Sequence, residues 1–227
     1  MDAVPMDAAP MDATALLLAD SRFPGGGHAH SGGLEEAAAR GLVTDEPSLA
    51  SFLLGRLRTA GALAAAFAAA ATGGGDLGAL DAEFDARTPS PAQRAASRAQ
   101  GGGVARAARR AWPSARLDAL LAAQPRPHHP VIVGLLVRDP RDAARVVAYL
   151  AVTGPASAAV RLLGLDPLGV NAVLARLAGE VDAVAADAAR HARTAPEDLP
   201  APGSPALDLL AEAHDRHHRE EVRLFAS

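Results

Sequence analysis

Five of the eight histidines fall into two groups whose spacing could bring imidazoles together. His28 and His30 stand at i and i+2 in the run Gly25-Gly26-Gly27-His28-Ala29-His30-Ser31-Gly32-Gly33. In an extended loop they could share one ion, although two imidazoles alone make a weak site. His214, His217 and His218 stand at i, i+3 and i+4, which on a helix puts all three on one face. That face suits a divalent transition metal. A solvated face flanked by Asp215, Arg216, Arg219, Glu220 and Glu221 is the better-supported reading from spacing alone. These five histidines are candidate ligands and define no firm metal site.

The glycine-rich run fails as a phosphate loop, because no Gly-Lys-Ser/Thr follows it. It also fails as a nucleophile elbow, because Ser31 precedes a helix with no strand before it. Its structural reading is a tight turn in which Ser31 caps the next helix and Glu35 lies in the first turn. The chain has no cysteine and no lysine, all 22 basic residues being arginine. Thiolate and Schiff-base nucleophiles and lysine-dependent phosphoryl transfer are therefore excluded. No His-Glu-x-x-His occurs. A histidine-based hydrolase would need a pocket joining His28 or His30 to a carboxylate and an oxyanion site. No spacing announces one, and we read the chain as a non-enzyme without an intrinsic cofactor.

A second polar set, Arg94, Ser97, Arg98 and Gln100, shares one helical stretch, with Arg94 and Arg98 at i and i+4. Arg161 differs, because it sits in the apolar run Ala158-Ala159-Val160-Arg161-Leu162-Leu163. A buried arginine needs a partner, so Arg161 is expected to meet a carboxylate or a helix C-terminus.

The elements that must hold these residues read as helices. Residues 1–14 repeat Met-Asp-Ala between prolines and read as a disordered tail. A short helix over Ala15–Ala19 runs into the loop, and a second opens after Ser31 and stops at Gly41. Pro47 starts a long helix whose Leu49, Phe52, Leu53, Leu57 and Leu63 keep helical spacing up to Gly73. Leu77–Ala86 is another. A helix over Ala92–Ala111 carries Gly101-Gly102-Gly103, which calls for a kink or a close backbone approach. Val131–Val137 fits a buried helix or a strand. Helices follow over Arg141–Leu165, bent or broken at Gly154-Pro155, then Pro167–Ala192 and Ala206–Arg219. The fold class is all-α: one bundle of roughly ten helices over residues 15–227, ending in a mobile C-terminal tail. Hydrophobic residues make up 49% and aromatics 3%, so the core must be built from Ala, Leu and Val. A net charge of −4 and an isoelectric point near 6.0 argue against a nucleic-acid binder. The longest apolar run, Thr59–Thr72, is short of a membrane span, and no signal peptide is evident. The absence of cysteine fits the cytoplasm.

Several segments in order resemble the urease accessory protein UreF family. Leu17 to Glu35 is similar to its N-terminal signature, a Leu-rich helix, a Phe-Pro-x-Gly-Gly loop (Phe23, Pro24, Gly26) and Ser31-x-Gly-Leu-Glu35. Arg94-x-x-Ser97-x-x-Gln100-Gly101 resembles the family's Arg-x-x-Ser-x-x-Gln-Gly helix. His129-Pro130 with Gly134, Ala158-x-Val160-Arg161-Leu162, and the closing Arg223-Leu224-Phe225-Ala226-Ser227 complete the set. The chain departs from the family pattern in Leu163–Asn171, at His217-His218 and at Ala226. The resemblance implies a helical homodimer that handles nickel only within a complex. Its implied partners are a UreD/UreH-type accessory protein, a UreG-type GTPase and apo-urease. It also implies that Phe23, Pro24, Gly26, His30, Ser31, Glu35, Arg94, Ser97, Arg98, Gln100, Arg161, Arg223, Leu224 and Phe225 organise the interfaces. Direct nickel binding through His28, His30, His214, His217 and His218 is the alternative reading.

Overall fold

The computed structural model describes residues 12–25 and 31–224, with side chains described through His217. Eleven α-helices and no strand occur among the described residues: α1 (Ala13–Ala19), α2 (Leu34–Ala39), α3 (Glu46–Arg56), α4 (Ala62–Thr72), α5 (Leu77–Ala86), α6 (Pro91–Ala111), α7 (Ala115–Ala123), α8 (His129–Leu136), α9 (Pro140–Leu163), α10 (Pro167–Ala189) and α11 (Pro205–Leu224). A π turn over Leu57–Gly61 joins α3 and α4 into one rod.

Aspartate and serine start most of these helices by accepting a backbone N–H of the first turn, as Asp45, Asp76, Ser90, Ser114, Asp139 and Asp166 do. Asp12 does the same for α1, so that helix begins two residues before the expected Ala15. The expected tail lies outside the described residues apart from Asp12, Ala13 and Thr14. Ser31 does not cap α2. The cap is Gly33 at φ +93°, with no side-chain bond, because the chain enters through two left-handed glycines, Gly32 and Gly33.

Most apolar residues divide between two cores that share α9, and a third, smaller cluster of alanines (Ala65, Ala69, Ala144, Ala185, Ala188) joins α4, α9 and α10. One gathers α1 and α4–α8 around Phe67, Leu80, Leu117 and Ile132. The other gathers α2, α3, α10 and α11 around Leu34, Leu49, Leu53 and Val173. Small residues set the spacing between the rods. Ala65, Ala66 and Ala68–Ala71 of α4 are all buried. Gly134 of α8 lies so close that an added Cβ would stand 2.2 Å from Ala68 O. Thr72 Oγ1 donates across this seam to Gly134 O at 2.8 Å. The run Val131–Val137 is thus helical up to Leu136 and buried.

Of the two alternatives expected at the glycine triplet the structure shows the close backbone approach and no break, and the break expected at Gly154-Pro155 is absent. α6 runs unbroken through Gly101-Gly102-Gly103, which serve as contact points for other backbone: a Cβ on Gly101 would meet Pro127 O at 1.9 Å, and one on Gly103 would meet Gly25 O at 2.5 Å. α9 runs unbroken through Pro155. Proline has no N–H, so the carbonyl of Ala151 loses its helical donor; Arg56 Nε donates to it instead at 3.0 Å. α7 had no counterpart in the sequence reading. α10 ends at Ala189, and α11 continues to Leu224, taking in Arg223 and Leu224 of the segment read as tail.

Continuity also changes the reading of the apolar run at Thr59–Thr72. The rod Glu46–Thr72 and α9 are each long and apolar enough to cross a bilayer by length and composition. About half of each most apolar window is buried in the fold (50% and 44%), as befits the rods on which both cores are built.

Candidate functional site

The polar residues of α6 hold the molecule together from inside. Asp81 of α5 is 3% exposed although it lies on the apolar side of its helix, beside Leu80 and Phe84. Its carboxylate accepts from the His128 backbone N–H at 2.7 Å, from Arg98 Nη1 at 2.9 Å and from Gln124 Nε2 at 3.3 Å. Asp85, one turn on, accepts from Arg98 Nη2 at 2.8 Å and pairs with Arg94 Nε at 3.5 Å. Arg94 also donates to the carbonyls of Thr88 and Pro89. The imidazole of His128, fully buried beside the ring of Phe84, bridges Ser97 Oγ and Asp85 Oδ1, each at 3.0 Å.

The hydrogen bonds assign the tautomer of His128. A carboxylate oxygen only accepts, so Nε2 carries the proton toward Asp85. Nδ1 then accepts from the Ser97 hydroxyl, whose oxygen accepts from the His129 N–H at 3.3 Å. Burial lowers the His128 pKa below its ordinary value, and the nearby Arg98 cation acts the same way. Burial pushes the Asp85 carboxyl up, but hydrogen bonds from Arg98 and His128 outweigh it and hold it below the usual range. Ser97, His128 and Asp85 are therefore linked in series, hydroxyl to imidazole to carboxylate. The arrangement clasps α5, α6 and the start of α8.

A cavity of about 760 Å³ opens beside this clasp. Phe23, Ser31, Glu35, Ser97, Gln100 and Arg161, far apart in sequence, all contribute to its wall. Phe23 stacks on Trp112 with ring centroids 6.0 Å apart. The Gln100 side chain makes no hydrogen bond among the described residues. Arg161 is exposed, contrary to the expectation of burial, because Ala158 and Ala159 take the inward face of α9. It is engaged in an interaction even so. The next corner, between α9 and α10, carries Leu162 and Leu168 exposed.

Arg94 and Arg98 stand outside the cavity wall, and so does the exposed Pro24. On the far side, α11 is tied to α2. His217 Nδ1 lies 3.1 Å from Glu36 Oε2, and His214 Nε2 lies 3.9 Å from Glu35 Oε2. Burial raises the Glu36 carboxyl, yet Arg40 and His217 together hold it below its ordinary value. Among the described residues, no group of three or more His, Asp or Glu is placed to hold a metal ion. Gly26, His28, His30 and Phe225, and the side chains of His218, Arg223 and Leu224, lie outside what is described.

Sequence reasoning missed Asp81, Asp85, His128 and Arg56. Asp81 was readable, since Leu77, Leu80, Asp81 and Phe84 form one helical stripe. Arg56 was readable in the same way, four residues after Phe52 and seven after Leu49. His128 carried no such pattern.

These features define an all-helical protein whose polar interior fixes helices and whose cavity and helix ends face outward. The UreF family model matches residues 43–178. The urease accessory protein UreF of Mycobacterium sp. (strain JLS) is 49% identical over 219 residues, covering 94% of this chain and 98% of the relative. Those of Mycolicibacterium vanbaalenii and Mycobacterium bovis (strain BCG / Pasteur 1173P2) are 47% and 46% identical, each covering 95% of this chain and 98% of the relative. The chain belongs to the urease accessory protein UreF family.

Proposed function

We propose that this protein is a scaffold for nickel insertion into urease, bridging a UreD/UreH-type accessory protein and a UreG-type GTPase on apo-urease. The observation that carries this reading is near-full-length identity of 46–49% to proteins named urease accessory protein UreF. The fold is compatible with the role, since its interior polar groups are spent on helix packing and its helix ends face outward. In this reading the protein works as a cytoplasmic homodimer, holds no cofactor of its own, and leaves nickel to the assembled complex. Phe23, Ser31, Glu35, Gln100 and Arg161 act around the cavity. Gly26, His30, Arg223, Leu224 and Phe225 act in the adjoining loop and tail, and Arg94, Ser97 and Arg98 act indirectly by fixing α5 and α6.

In this reading the C-terminal segment, residues 223–227, is a contact for the UreD/UreH-type partner. Deleting residues 218–227 should abolish co-purification with that partner while the circular-dichroism spectrum stays helical. Retained co-purification would remove the tail from the interface.

A further inference from the structure

Arg56 is a half-buried cation that meets no carboxylate among the described residues. Its guanidinium leaves α3 at the start of the π turn and reaches the cavity wall. Nε donates to Ala151 O at 3.0 Å and Nη1 to Gly32 O at 2.7 Å. Both acceptors are neutral carbonyls. No carboxylate among the described residues pairs with it, and burial alone lowers its pKa to about 10. The comparably covered Arg87, Arg98 and Arg145 each carry a carboxylate: Glu83, Asp81 with Asp85, and Asp142 with Asp182.

The surroundings hold this guanidinium in one pose. A Cβ on Gly32 would stand 2.9 Å from Arg56 Cζ and 3.0 Å from Pro155 Cγ, so the group fits between the Gly32 turn and the proline of α9. A guanidinium has five N–H donors in a planar fork. Two are used here, and Nη2 makes no hydrogen bond within the described residues. The carboxylate of Glu35 in the same wall faces His214 instead. A half-buried cation with donors to spare gains when an anion joins it, and a fork of this shape matches two oxygens of one oxyanion.

We propose that the free edge of Arg56 is a binding site for a small oxyanion, of the carboxylate or phosphate class, that enters from the cavity. A role limited to holding the Ala151 and Gly32 carbonyls would need no anion, and this separates the two accounts.

The test uses the full chain at constant ionic strength, with sodium phosphate or sodium acetate replacing sodium chloride. Thermal unfolding and the ¹⁵N–¹H resonance of Arg56 Nε are followed together. A saturable rise in Tm of about 3–5 °C at a tenfold excess over Kd is expected, with a matching shift of the Arg56 resonance. The tighter of the two anions identifies the class. Arg56→Met should lose the anion-dependent rise, and Arg193→Met, at an exposed site away from the cavity, should keep it. Should Arg56→Met fail to fold, Arg56→Lys keeps the charge without the fork, and at least a tenfold loss of affinity is expected. No anion-specific effect on the unmodified chain overturns the proposal, as does an undiminished effect in Arg56→Met or unchanged affinity in Arg56→Lys.

Discussion

Asp81 is the residue on which the clasp depends. One carboxylate accepts from a backbone N–H, an arginine and an amide while only 3% exposed. Asp81→Asn keeps the size, removes the charge and turns a donor toward other donors. Breaking a buried pair in this way costs about 3–5 kcal/mol. Arg98 keeps some contact with solvent, so the lower end, about 3 kcal/mol, is expected in urea denaturation. A cost below about 1 kcal/mol would place the carboxylate outside the stabilising network.

His128 sets the pH response. Its folded pKa lies below the ordinary imidazole value of 6.5, so the unfolded chain binds more protons once pH falls below that value. Stability contributed by neutral His128 is complete above about pH 6.5 and is lost as pH falls toward the folded pKa. Asp85 and Glu36 have lowered pKa values, so their contributions are lost at lower pH, below the usual carboxylate range. Between pH 6.5 and 5, His128→Asn should therefore flatten the fall of unfolding free energy with pH. An unchanged slope would assign that fall to other groups.

At the scale of elements, close helix approach competes with helix propensity, and glycine shows which wins. Replacing a helical glycine by alanine ordinarily stabilises by about 1 kcal/mol. Gly179 in α10 has nothing within 4 Å of an added Cβ, so Gly179→Ala should gain about that much. At Gly134 the same methyl would enter Ala68 O and the Ala71 side chain, so Gly134→Ala should lose roughly 1–3 kcal/mol as α4 and α8 part. Thermal unfolding of the two variants checks both signs, and a stabilising Gly134→Ala would contradict the seam.

Most helices were legible because their stripes and caps are local. Leu77–Ala86 was read to the residue, and Pro47 marked its helix start. The misreadings share one cause, which is a tertiary partner supplying what local sequence lacks. Gly101 and Gly103 give the expected close backbone approach but without a kink, and Pro155 is tolerated where Arg56 supplies the donor that proline removes. Arg161 looked buried by composition, but alanines close the inward face without it. Of the candidate site, Arg94, Ser97 and Arg98 were found as one polar set at helical spacing. Their partners Asp81, Asp85 and His128 lie on other helices and could not be paired from one chain of letters.

At the scale of the molecule, two cores share α9, so the faces carrying the cavity and the last helix are fixed by one rod. Leu162 and Leu168 are exposed at the corner between α9 and α10.

The most direct measurement is the mass of the assembly formed when the full chain is mixed with a UreD/UreH-type protein and a UreG-type GTPase, by size-exclusion chromatography with light scattering. The account predicts one species containing all three, in which the UreG-type protein joins the UreD/UreH-type protein only when this chain is present. Separate elution of the three, or association of the two partners without this chain, would contradict it.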